Sequence, residues 1–218
     1  MPLGLQMVLL LLAGVLAAER GPTSAATGSN EMVRIRREVR AARKDWRAML
    51  KDLRNTDPDR ARFYELGDLG EKQVDAGKLD EAEASAKVLL TVAQQFQCDW
   101  NYGNAIHRAH IVLGRVALAR GDRETAKARL VEAGQTPSSP QLASAGPDMR
   151  LARALLLEGE RDAVLQYFQV CAKFWELGRC DLKEWRDAVE AGTVPEFRRT
   201  MRTCSGRRWR DAAEPPMR

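Results

Sequence analysis

Histidine is nearly missing from these 218 residues, with two in all, and aromatic side chains make up only 6%. Two imidazoles leave little material for a histidine-based metal centre or acid–base pair. The four cysteines include no CxxC pair, which argues against zinc ribbons and thioredoxin-like redox sites. GxxxxGKS/T, GxGxxG and GxSxG motifs are all absent, and with them the common phosphate-cradling loops and the nucleophile elbow. Acidic residues number 30, yet they fall on the polar faces of amphipathic segments, and no pair stands out for proton transfer. The chain is expected to have no catalytic residues, no cofactor and no bound metal, and not to be an enzyme.

Long hydrophobic runs are also lacking, since a membrane span needs roughly 20 apolar residues. The longest, Val8 to Ala18, holds four consecutive leucines (Leu9 to Leu12) within a stretch, Met1 to Ala18, that has no charged side chain. That run matches the apolar region of a signal peptide, with Ala17 and Ala18 offering a cleavage site, although no Lys or Arg precedes it. Residues 1–18 are therefore read as a signal peptide, and the protein as periplasmic or secreted. Translation starting at Met32 would instead leave it in the cytoplasm. Residues 19–30 (ERGPTSAATGSN) are small, polar and without period, and read as a disordered spacer.

What the chain has in quantity is Ala, Leu, Arg and Glu, the residues of soluble helices. Its net charge of +5 is concentrated in two stretches, Arg34 to Arg54 and Arg198 to Arg210. In the first, Ile35, Val39, Ala42, Trp46, Met49 and Leu53 alternate steps of four and three, the mark of one helical stripe. Asp57 and Pro58 then suit the cap and first turn of a second helix. Three points further on read as helix, glycine, charged residue, helix: Gly77-Lys78, Gly121-Asp122 and Gly159-Glu160. A glycine in the left-handed conformation closes one helix at each, and the polar residue opens the next. Aligning them places Ala82 over Ala126, Ala86 over Leu130 and Leu89 over Ala133, with Leu69-Gly70 over Leu113-Gly114. Small residues on both arms permit the close approach that an antiparallel hairpin needs.

The second copy, His110, Leu113, Gly114, Ala117, then Gly121-Asp122, Ala126, Leu130, Ala133 and Pro137, resembles the tetratricopeptide repeat (TPR) motif. Its small positions match, while His110, Ala117 and Leu130 stand where the family often has aromatics, and the copies are longer than the usual period of about 34 residues. The resemblance implies an all-α domain over residues 31–197, a short TPR-like solenoid of hairpins at about 60–97, 101–134 and 147–177. An N-terminal amphipathic helix and a capping helix at 181–191 would flank it. Asp181 and Glu184 read as a capping box for the latter, the proline-rich stretch Gln135 to Asp148 as a segment no helix crosses, and residues 198–218 as a basic flexible tail.

His107 and His110 lie three apart on one helix face, a spacing that can offer two metal ligands, but a third is not in reach. Packing is the simpler role. Of the cysteines, Cys98, Cys171, Cys180 and Cys204, a bond between Cys171 and Cys180 looks too long to close, and Cys171 reads as a buried apolar side chain. The remaining candidate is a stripe beside the hairpin seam, Asn101, Asn104, Arg108, Ile111 and Arg115. Its amides and guanidinium groups would face the concave side, where such stacks hold peptides or partner proteins. The leading expectation is an exported protein-interaction scaffold that binds a protein or peptide there. The alternative is a cytosolic basic adaptor for nucleic acid or another anionic partner, disfavoured by the scarcity of aromatics near the arginines. A metal-dependent hydrolase through His107 and His110 is third.

Overall fold

The structure, a computed structural model, describes residues 25–197. The signal-peptide reading, the start of the spacer, Cys204 and the basic tail lie outside the described residues. Within them the fold is all-helical, with no strand: α1 (Ala25–Thr56), α2 (Pro58–Asp75), α3 (Leu79–Ala93), α4 (Tyr102–Ala119), α5 (Arg123–Gly134), α6 (Pro140–Ala145), α7 (Arg150–Leu157), α8 (Arg161–Cys171) and α9 (Arg179–Glu190). Short 3-10 turns occupy Gln94–Phe96 and Glu176–Gly178. None of these helices is long and apolar enough to cross a membrane. Two compact units divide within α2, one ending at Tyr64 and the other beginning at Glu65.

In the first unit α1 starts at Ala25, well before Ile35 and inside the segment expected to be a spacer. Ala25 and Ala26 carry no helix penalty, which lets the helix extend past the amphipathic stripe. Its arginines at 34, 36, 37, 40, 43 and 47 are exposed. Trp46 meets Tyr64 edge to face, with ring centroids 5.4 Å apart. The Asp57 carboxylate accepts the Arg60 backbone N–H at 3.0 Å, the cap expected ahead of Pro58.

The second unit is built from hairpins that turn at the three expected glycines. Gly77, Gly121 and Gly159 have φ of 72°, 81° and 87°, a region open to glycine at little cost. At each turn the next residue donates to a carbonyl five residues back: Lys78 to Gln73 at 2.8 Å, Asp122 to Ala117 at 2.9 Å, and Glu160 to Leu155 at 2.9 Å. This is the Schellman closure, made three times. Helix α4 packs against both α3 and α5, α5 against α8, and α9 against α8. The aligned small and apolar positions Ala82, Ala86, Leu89, Ala126, Leu130 and Ala133 are all buried.

Two local expectations are corrected. The stretch Gln135 to Asp148 does contain a helix, α6, because the Ser139 hydroxyl accepts the Leu142 N–H at 3.0 Å and Pro140 fits the first turn. The last helix opens at Arg179 rather than Asp181, so Asp181 is a buried first-turn residue and not a cap. Trp175, 1% exposed, fixes this end of the chain. A Cβ on Gly146 or Gly178 would stand 2.5 Å or 2.1 Å from its ring, so both glycines are required for the indole to pack.

Close approach sets the strictest demand at Gly114, where a Cβ would fall 2.3 Å from Leu151 Cδ2. Gly114→Val should cost about 1–3 kcal/mol through overpacking. Thermal and urea unfolding would measure this, with Gly114→Ala expected to be the milder variant.

Candidate functional site

Helix α4 carries every residue of the predicted binding stripe except Asn101, which precedes it, and neighbours on several sides leave it little surface. Asn104 is buried, and its amide donates to Asn101 Oδ1 at 2.9 Å and to Gln141 Oε1 at 3.0 Å. The Ser139 hydroxyl donates to Asn104 Oδ1 at 2.6 Å. Instead of meeting a ligand, Asn104 pins α6 to α4. Ile111 is fully buried in the core, which removes it from any binding face. Asn101 is half-buried.

Arg108 and Arg115 do reach the surface, already paired. Arg108 bonds the Asp68 carboxylate and lies 3.7 Å from Glu71. Arg115 donates to Asp75 at 2.7 Å. From α7, Arg150 reaches the same Glu71 at 2.8 Å and grips Asp148, with Nε to Oδ2 at 2.8 Å. The bond and charge of Arg115 hold the Asp75 carboxyl below its ordinary value. Asp68, Glu71 and Asp75 recur along one side of α2, and the arginines answer them from α4 and α7. The resulting face is a mosaic of matched charges. Sequence reading found Arg108 and Arg115 but missed their acidic partners, which lie some 40 residues away. The signal for them was the three, four spacing of the α2 acids.

His107 is buried and serves as a hydrogen-bond bridge. Its Nδ1 lies 2.9 Å from the Ala133 carbonyl, and the Asp148 N–H donates to Nε2 at 3.0 Å. This pairing requires the neutral ring with its proton on Nδ1. Burial pushes the His107 pKa down, against the opposing pull of the Ala133 bond. Asp148 is held on a second side, since the Tyr167 hydroxyl donates to its carbonyl at 2.8 Å. His110 sits 3.1 Å from the Glu132 carboxylate, and burial lowers its pKa as well. Among the described residues, no group of three His, Cys, Asp or Glu side chains is placed to hold a metal ion.

Cys180 is disulfide-bonded, whereas exposed Cys98 and buried Cys171 are free thiols. Burial pushes the Cys171 pKa up, so its thiol stays protonated and inert. No family model, curated protein or solved structure matches the chain.

Two measurements follow from these side chains. With a folded pKa below the ordinary 6.5, His107 contributes stability that is fully present above about pH 6.5 and declines as the pH falls below it, because the unfolded chain then binds the extra proton. Unfolding free energy should therefore fall between pH 7 and pH 5, and His107→Gln should flatten that slope, leaving a remainder from His110. Alkylation of the denatured, unreduced protein should modify Cys98 and Cys171 but leave Cys180 unmodified until reduction, as read by peptide mass.

Proposed function

We propose that this chain is a divergent, TPR-like helical-repeat scaffold that binds a partner protein or peptide outside the cytoplasm. The observation that carries this reading is the face shared by α2, α4 and α7, where Asp68, Glu71, Asp75, Arg108, Arg115 and Arg150 form an alternating set of partly exposed ion pairs. Exposed pairs of this kind contribute only about 0–1 kcal/mol each to stability. Their charges can be re-paired by a ligand at little cost to the fold. A peptide bearing both signs would exchange partners with Asp75 and Arg115, which gives specificity through register. The three Schellman-closed hairpins, stacked through small residues, support the repeat reading. A disulfide at Cys180 suits an oxidising compartment, as does the apolar leader.

Charge exchange distinguishes this surface from a merely solvated one. In the double variant Asp75→Arg plus Arg115→Asp, the internal pair is kept but its polarity is inverted. Partners crosslinked to the full-length protein in its native cells should be lost from this variant while circular dichroism and melting stay the same. Recovery of the same partners by both proteins would remove the face from the reading. Export predicts a mature N-terminus near Glu19, which N-terminal sequencing detects.

A second reading rests on α1. Between Val33 and Arg54 it carries nine basic and three acidic residues, with seven arginines exposed, and so offers an anionic partner a cationic rod. Binding of that kind should weaken steeply as salt rises.

A further inference from the structure

Where α7 begins, the second unit holds a cavity of about 280 Å³, lined by Ala145, Pro147, Met149, Arg150, Arg153, Trp175, Trp185 and Phe197. Its apolar wall is an aromatic cluster. Trp175 and Trp185 lie 5.6 Å apart between ring centroids, and Phe197 meets Trp185 edge to face at 5.1 Å. Three aromatic rings around one small cavity are notable in a chain with so few.

The polar side of the cavity is cationic. Arg150 and Arg153 stand three apart on α7, hence on one side of that helix, and both line the cavity. Helix starts favour acidic residues, because the first-turn N–H groups and the macrodipole are positive there. Here the Asp148 carboxylate, just ahead of the helix, accepts the Arg150 N–H at 2.8 Å, while the helix itself opens with Arg150 and carries Arg153 a turn on. The charge of Arg150 is answered by Asp148 and Glu71. Arg153 is exposed and forms no ion pair among the described residues. A bound anion would supply the counterion that Arg153 lacks among the described residues.

Phe197 supplies an independent observation. Its φ of 49° is the one positive value among the described non-glycine residues. An aromatic residue in that region is strained, and such strain persists where surrounding contacts over-determine it, often beside ligands. Its ring contacts Trp185 and Phe168, the latter at 6.2 Å.

We propose that this cavity binds a small carboxylate with an apolar or aromatic body. The carboxylate takes the fork of Arg153, with Arg150 beside it, and the apolar body lies against Trp175, Trp185 and Phe197. A volume of about 280 Å³ lies at the lower edge of small-molecule sites and admits one ring with a short acid arm. Free aromatic acids and peptide termini ending in an aromatic residue share this chemistry. The site shares Arg150 with the charge mosaic but has its own aromatic wall and Arg153, and its occupancy does not depend on the scaffold reading.

Isothermal titration of the full-length protein with 3-phenylpropionate should give a saturable single site. The uncharged 3-phenylpropionamide, and acetate, which lacks the ring, should each bind about tenfold more weakly or less, the loss of one charge-assisted contact or of the apolar burial. Arg153→Gln should weaken 3-phenylpropionate by about tenfold with an unchanged melting temperature, since the side chain is exposed. Comparison with acetyl-Ala-Ala-Phe carrying a free carboxylate separates the sources: tighter binding than the free acid points to a chain terminus, and weaker binding to a small acid. Either outcome upholds the site. Absence of saturable binding by both acids overturns the proposal, as does equal binding of the amide or an unchanged affinity in Arg153→Gln.

Discussion

Helix α4 is packed on nearly every side, and much of the second unit follows from that single constraint. It touches α3, α5, α6 and α7, and eleven of its 18 residues are buried. A helix so enclosed must keep its contact positions small. Gly103, Ala105, Ala109, Gly114 and Ala117 meet that need, with Gly103 so close to the Pro137 carbonyl that a Cβ would stand 2.0 Å away. A polar side chain buried on it must be satisfied internally, because water is excluded there. Asn104 and His107 are both satisfied, and each therefore fixes a neighbour: Asn104 holds α6 and His107 holds Asp148 at the entry to α7.

Charge sorts the hairpins around this central helix. The middle hairpin supplies cations on both of its sides. Towards the first, Arg108, Arg115 and Arg120 meet Asp68, Glu71, Asp75, Asp80 and Glu83. Towards the third, Arg123 and Lys127 meet Glu158 and Glu160. The bonds from Lys87 and Arg120 lower the Glu83 pKa to about 2. Exposed pairs add little stability individually, but a consistent sign pattern penalises a slipped register, where like charges would meet. Hydrophobic burial holds the hairpins together, and electrostatics selects how they align.

Legibility in the sequence followed the range of the interaction concerned. The turns at Gly77, Gly121 and Gly159 were readable because a helix ending in the left-handed region depends on a few consecutive residues. Buried alanines at 82, 86 and 126 were readable because they recur at matched distances from those glycines. The α6 helix was missed because three prolines in Gln135 to Asp148 suggested a loop, whereas Pro140 sits in a first turn where its missing N–H costs nothing. The surroundings of the predicted binding stripe were illegible for another reason. Periodicity correctly put Asn104, Arg108, Ile111 and Arg115 on one side of α4, but it does not say what covers that side. Asn104 went to α6, Ile111 to the core and the two arginines to acids on α2.

The sequence by itself determined that this protein is helical, where its hairpins turn and which small residues let them close, since all of these rest on backbone propensity, capping and periodicity within a few turns. Tertiary structure alone decided which polar groups were spent inside the fold and which were left at its surface. Asn104 and His107 became struts, Arg108 and Arg115 became halves of ion pairs, and Arg153 came to stand beside two tryptophans and a phenylalanine drawn from distant segments. Such assignments depend on what lies across a helix rather than along it. They are made by packing, in which each side chain's neighbours come from parts of the chain that no local pattern connects.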